Sequence, residues 1–264
     1  MIELAGLEVV FHRGTVLETR ALQGVDLAIP AAQFVTVIGS NGAGKSTLLN
    51  ALAGTVPLSG GRIAIDGADV TGLPAAARAR LLARVFQDPL AGTCASLTIE
   101  ENLALAEARG RGRGLRLALA GATRARWRER LTRLGLGLEH RLGDRMGLLS
   151  GGQRQAVALL MATMAPSRIL LLDEHTAALD PRTAEFVLDL TRRLVGELRL
   201  TTLMVTHSMH QALALGDRLL MLHEGKVCLD VTGEAKVRLG VEDLLGEFRR
   251  RRGIEIDEDA LLLG

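Results

Sequence analysis

Gly39-Ser40-Asn41-Gly42-Ala43-Gly44-Lys45-Ser46-Thr47 stands directly behind the strand-like run Phe34 to Ile38. It also stands directly ahead of an apolar stretch that reaches Ala53 and stops at Gly54. This is the pattern G-x-x-x-x-G-K-[ST] in the setting that gives it meaning, strand then glycine loop then helix. Glycines let the backbone curl so that successive N–H groups face inward on phosphate oxygens. The helix that follows adds its positive end. Lys45 is the group that reaches the β- and γ-phosphates, and the Ser46 hydroxyl is a ligand for Mg²⁺. A glycine turn that merely caps a helix would require neither residue.

A second segment, Ile169-Leu170-Leu171-Leu172-Asp173-Glu174, reads as a buried parallel strand with two carboxylates at its C-terminal end. That end is where α/β sheets place ligands. Adjacent carboxylates repel unless a cation or proton compensates, and the Mg²⁺ of bound ATP supplies one. Asp173 fits the acid on the metal side. Glu174 fits the carboxylate that orients and deprotonates an attacking water.

Composition narrows the remaining choices. The chain has 264 residues, is 48% hydrophobic and 23% charged, and carries a formal net charge of +2, which excludes wholesale disorder and gives only a weak electrostatic footprint. Aromatics are 2%, with one Trp and no Tyr, which argues against binding nucleic acid through rows of stacking platforms. Cys94 and Cys228 form neither metal-ligand spacing nor a disulfide framework, as expected in a reducing compartment. No basic-then-apolar leader opens the sequence. The longest apolar candidate for a membrane span, Ala156 to Ala165, stops at Pro166 and falls well short of about 18 residues.

Residues 1–30 show short strands, Gly60 to Asp66 another, and Pro74 to Ala83 a helix candidate before a brief strand at Val85-Phe86. From residue 88 to about 162 the pattern turns helical. Thr98 with Glu101 forms a capping box for a helix to Ala108, and further helices are expected over Arg124–Leu134 and Gln153–Ala165. Strands and helices then alternate: strand 169–172, helix 183–194, strand 201–205, helix 209–215, and a strand pair around Glu224-Gly225. Arg109, Arg111, Arg113, Arg116, Arg124, Arg126, Arg128 and Arg130 stand against the single Glu129. Such a run suits a solvated face, a face toward anionic lipid or a partner, or, least well, nucleic acid. Arg249–Arg252 and the acids Glu255, Asp257, Glu258 and Asp259 read as a solvated helix end and tail.

With these motifs in view, the chain resembles the ATPase subunit of ATP-binding-cassette (ABC) transporters over nearly its whole length. Leu149-Ser150-Gly151-Gly152-Gln153 is similar to that family's signature, Val85-Phe86-Gln87 to its Q-loop, Ala178-Leu179-Asp180 to its D-loop and Thr206-His207 to its switch histidine. Their order matches as well. The stretches Val37–Lys45, Ala83–Cys94 and Asp173–Asp180 resemble a bacterial importer branch. The resemblance implies an α/β fold: a P-loop NTPase core of ABC type, an N-terminal antiparallel β part and an inserted helical subdomain. It divides one domain, 1–264, into a core of 1–87 and 163–235, a signature-bearing helical part of 88–162, and a C-terminal helix and tail of 236–264.

The same resemblance implies that ATP and Mg²⁺ are the cofactors. Residues Gly39 to Thr47 would bind one nucleotide, and Ser150, Gly151, Gly152 and Gln153 of a second copy would close on its γ-phosphate, with Asp180 at the junction. Phe11 would stack on adenine, the chain having no Tyr for that place. Gln87 would sense Mg²⁺ and the water, beside the metal ligands Ser46 and Asp173. His207 would contact the γ-phosphate and keep Glu174 oriented, so that Glu174, His207, Gln87 and Lys45 form the catalytic set. Implied partners are a second copy, integral membrane permease subunits and, indirectly, a periplasmic substrate-binding protein, with no specific nucleic acid. The implied location is peripheral, on the cytoplasmic face of the bacterial inner membrane. The alternative is an ATPase of the same fold driving lipid or export transport, cell division or DNA repair. The chain departs from the pattern at His175, where many relatives have Pro; at Ala31-Ala32, in place of an acidic-glycine turn; and at Ala156, where many have a basic residue.

Overall fold

A computed structural model describes residues 1–110 and 121–252. The chain divides into two compact units, Met1–Arg78 together with the chain from Arg199 on, and Ala79–Leu198.

In the first unit, β1 (Ile2–Phe11), β2 (Thr19–Ile29), β4 (Gly60–Ile65) and β5 (Ala68–Asp69) form an antiparallel sheet in the order β2-β1-β4-β5. The buried residues of β1 are Ile2, Leu4, Leu7 and Val9, a period of two with one extra residue. A register irregularity between Leu4 and Leu7 accounts for it. Gly6 sits there at φ 57 and its N–H donates to Asp26 Oδ1 at 2.7 Å, so the bulge returns Leu7 to the core face.

The same unit holds β3 (Phe34–Gly39), β8 (Thr201–Val205), β9 (Arg218–His223) and β10 (Lys226–Thr232), ordered β10-β9-β3-β8. β3 runs parallel to β8 and β9, and β10 closes the edge antiparallel to β9. Every residue of β3 is buried, as a central parallel strand requires. The unit's helices are α1 (Lys45–Ala53), α2 (Ala75–Arg78), α7 (Met209–Ala214), α8 (Gly233–Val237) and α9 (Val241–Arg252). Leu244 and Phe248 of α9 join Ile38, Met209, Leu219 and Met221 in one apolar cluster. Arg249 and Arg250 are exposed, as a solvated helix end should be. The acidic tail from Glu255 lies outside the described residues.

The expected helix over Pro74–Ala83 is corrected: α2 ends at Arg78. Leu82 and Ala83 pair instead with Ile169 and Leu170. Arg78 is 2% exposed, and its guanidinium donates to the carbonyls of Ala51, Leu52, Thr71 and Leu73 at 2.7–3.0 Å. Two of those carbonyls belong to the last turn of α1, whose C-terminal acceptors need partners.

In the second unit, β6 (Leu82–Val85) lies parallel to β7 (Ile169–Asp173). Around them are α3 (Ile99–Glu107), α4 (Gly121–Thr132), α5 (Gly151–Met164) and α6 (Pro181–Leu198). The capping box at the head of α3 is present in both directions: Thr98 accepts from Glu101 N–H, and the Glu101 carboxylate accepts from Thr98. Part of the arginine-rich stretch is spent inside this unit. Arg124 is bidentate on Glu100 at 2.6 and 2.8 Å, Arg126 meets Glu107 at 2.5 Å, and the buried Trp127 indole donates to Glu107 at 3.0 Å. Arg109 donates to Ala162 O and Ser167 Oγ. These four contacts make the stretch a brace for α3, α4 and α5 more than a free basic face; Arg111, Arg113 and Arg116 lie outside the described residues. Among the described residues no helix is long and apolar enough to cross a membrane.

Candidate active site

The phosphate loop takes the shape its sequence predicts. A Cβ on Gly44 would overlap the Ala21 carbonyl, and one on Gly39 the Leu222 carbonyl. Gly44 is also at φ 101, so backbone packing and torsion both require glycine there. Lys45 opens α1 and is 5% exposed. Its Nζ donates to Gly39 O at 2.7 Å and Ser40 O at 3.1 Å, holding the ammonium inside the curl of the loop. The loop is braced from outside as well: Gly225 N–H donates to Ala43 O. Ser46 and Asn41 are exposed, and Thr47 is half-buried.

β3 and β8 are in register at Val37 and Val205, so Gly39 and His207 each follow that pair by two residues and emerge at the same sheet end. The Thr206 N–H donates to Val37 O at 3.1 Å, fixing the crossing. Thr206 Oγ1 donates to Gln211 Oε1 at 2.8 Å, and Ser208 caps α7 through Gln211 N–H. His207 therefore leaves from a bend pinned on both sides. Phe11 ends β1 opposite Thr19 and is half-buried.

The second unit repeats this logic. Val85 is in register with Leu172, so Gln87 and Glu174 each follow that pair by two residues and leave from the same end. Gln87 is exposed, and Gln155, fully buried in α5, donates to the Phe86 carbonyl just before it at 3.2 Å. Asp173 accepts from Arg84 Nη2 at 2.5 Å. Glu174 has φ 47, a left-handed conformation that costs a non-glycine residue on the order of 1 kcal/mol and clusters at functional turns. His175 then turns inward. It is 2% exposed, and its Nε2 lies 3.0 Å from Thr191 Oγ1, which itself donates to Val187 O. Burial pushes its pKa down to about 4.

Ser150 caps α5 with a full capping box. Its Oγ accepts from Gln153 N–H at 3.2 Å, and the Gln153 side chain accepts from Ser150 N–H. A Cβ on Gly152 would overlap the Thr183 side chain, and one on Gly151 would sit 3.5 Å from Leu179. The signature turn is thus packed on the segment around Asp180. Asp180 caps α6 through Thr183 N–H at 3.1 Å, with Pro181 at the first helical position. Hydrogen bonds from the Thr183 hydroxyl and N–H hold the Asp180 carboxyl below its ordinary pKa. Arg78, Gln155 and Arg84 were not legible as site residues, because each acts through a neighbour distant in sequence.

The ABC transporter family profile matches residues 22–177. The chain belongs to that family. This ABC protein is 43% identical over 226 residues to the tyrosine transport ATP-binding protein of Clostridioides difficile, covering 86% of this chain and 90% of that one. It is 36% identical over 217 residues to the aliphatic sulfonates import ATP-binding protein SsuB of Escherichia coli, covering 81% and 76%. Among solved structures, the dimeric form of MJ0796, a bacterial ABC transporter cassette, aligns with a TM-score of 0.74 and 30% identity over 88% of this chain and 98% of that one. The fold is accordingly the P-loop ABC ATPase fold, with its N-terminal antiparallel sheet and inserted helical subdomain. This ABC subunit binds and hydrolyses ATP as part of an import-type transporter.

Proposed function

We propose that two copies of this chain clamp ATP between the lysine-bearing loop of one and the signature turn of the other, and that the cycle of closing and release drives a separate membrane permease. The observation that carries this reading is the second anion-binding helix end. Ser150 and the Gly151-Gly152 backbone stand at the head of a helix of 14 residues, and Lys45 stands at the head of another. One triphosphate in one protomer needs only one of them. The solved MJ0796 cassette is dimeric in two crystallised states, one of them a post-hydrolysis state bound to ADP and Pi.

In this reading Lys45 neutralises the β- and γ-phosphates, and the amides of residues 39–47 receive their oxygens. Phe11 stacks on adenine. Glu174 accepts a proton from the attacking water and aligns it in line with the leaving oxygen. His207 and Ser150 donate to the γ-phosphate as its charge spreads, and Asp180 sits at the junction of the copies. The residues fit Mg²⁺. The Asp173 carboxylate already accepts a cationic donor at 2.5 Å, and Ser46 is an exposed residue in the first turn of α1. Ser46, Asp173 and Gln87 would hold the ion together with phosphate oxygens and water, where it supplies charge neutralisation. Loss of the γ-phosphate then removes the bridge between copies.

The permease lies in the membrane and this chain on its cytoplasmic face, with a periplasmic binding protein delivering cargo on the other side. Residues 1–87 with 163–235 form the nucleotide core in this reading, 88–162 the helical part that meets the permease, and 236–264 an appended helix and tail. The cargo to test first is tyrosine, after the tyrosine transport ATP-binding protein that shares 43% identity. Co-expression with a candidate importer permease, followed by affinity purification and ATPase assay in proteoliposomes with its binding protein, tests the assignment. Cargo-stimulated hydrolysis by the co-purified complex is expected. A permease that neither co-purifies nor alters hydrolysis would overturn it.

A further inference from the structure

Arg84 is in register with Leu171 across the β6–β7 pair. Register partners project to one side of a parallel ladder, and so does the residue two further on, so Arg84 and Asp173 share a side. Two residues of strand rise roughly 6.6 Å, a span an extended arginine covers. Its Nη2 reaches Asp173 Oδ2 at 2.5 Å, and the two side chains keep only 12% and 13% exposure. The guanidinium carbon also lies 4.7 Å from the centre of the Phe86 ring, a cation–π arrangement that fixes the other side of the group. Arg84 is thus held between the residue before Gln87 and the acid before Glu174.

We infer that Arg84 is the resident counter-ion of Asp173. It is a positioning residue that keeps this carboxylate aimed, and it weakens the metal's hold when one arrives. The inference rests on the metal-side role proposed for Asp173. A guanidinium does not deprotonate, so its compensation is permanent. An incoming dication therefore meets a carboxylate already engaged by fixed positive charge, and like charge disfavours it. Arg84 keeps the site intact between nucleotides and favours release of the metal.

Mn²⁺ titrated with ADP and followed by electron paramagnetic resonance, alongside thermal melts, tests this in the full chain. Arg84→Gln removes the charge but keeps a donor. It is expected to lower the metal-free Tm, and to lower half-saturating Mn²⁺ on the order of tenfold, the effect of removing one unit charge a side chain away. The Tm loss should shrink when Mn²⁺ and ADP saturate. Arg84→Lys should restore wild-type Mn²⁺ binding. Unchanged Mn²⁺ binding in Arg84→Gln, or an equal Tm loss with and without metal, would reduce the pair to a structural ion pair and overturn the inference. Asp173→Asn separates the two levels. If it weakens Mn²⁺ binding while Arg84→Gln does nothing, only the inference fails. If Asp173→Asn leaves Mn²⁺ binding untouched, the metal-side role fails and the inference with it.

Discussion

Gly152 and Thr183 are packed so closely that the head of α5 leaves no room for a Cβ against the first turn of α6. The glycine of the signature turn is therefore required within its own subunit, before any partner is considered. The Thr183 hydroxyl is bonded to the Asp180 carboxylate, so turning the methyl clear would break that bond. Gly152→Ala should cost about 1–3 kcal/mol of stability and lower ATPase activity. Thr183→Ser in the same chain removes the overlapping methyl and keeps the hydroxyl beside Asp180, so it should restore both. Urea melts and steady-state hydrolysis of the double variant check this; recovery of neither would refute the packing account.

Arg78 ties the end of α1 to the loop before α2 through four carbonyls. Because α1 begins at Lys45, its far end sets the pose of the phosphate loop. Arg78→Met strands buried acceptors and should cost about 2–4 kcal/mol, with weaker ATP binding. Arg78→Lys reaches fewer carbonyls and should fall between. Chemical denaturation and equilibrium nucleotide titration measure the two effects.

His175 is neutral in the fold, with its pKa pushed from 6.5 to about 4 by burial alone. Between those values the unfolded chain binds more protons, so folding stability rises with pH. The contribution is complete above about pH 6.5 and is lost as pH falls toward 4, by up to about 1.4 kcal/mol per pH unit. Melts of the metal-free protein from pH 7.5 to 5 should show this slope. In His175→Gln that share of the slope should vanish; an unchanged slope would place the pH dependence elsewhere.

Phe11 is proposed to hold adenine by its face alone. Phe11→Ala should weaken ATP binding, by about 1–3 kcal/mol if base stacking has its usual size, while Phe11→Tyr should not. Fluorescent-nucleotide titration distinguishes them. Equal behaviour of the two variants would give the base to another residue.

What the sequence made legible was local. The glycine loop and the Thr98–Glu101 box each involve residues a few positions apart, and each stands where expected. The acidic pair was legible because four apolar residues precede it. Contacts set by register or by distant carbonyls were not. Arg78 read as one more position of a helix candidate, because its acceptors on α1 lie 26 and 27 residues away. Arg84 meets Asp173 only through the β6–β7 alignment. The arginine-rich stretch looked uniform in sequence, yet Glu100 and Glu107 select particular members of it.

The clamp of one nucleotide by two copies is tested most directly by sedimentation velocity of Glu174→Gln with saturating ATP and Mg²⁺. With water activation disabled and binding intact, the variant should sediment as a dimer, revert to monomer with ADP, and remain monomeric when Ser150→Arg is added. A Glu174→Gln protein that stays monomeric at saturating ATP and Mg²⁺ would contradict the account.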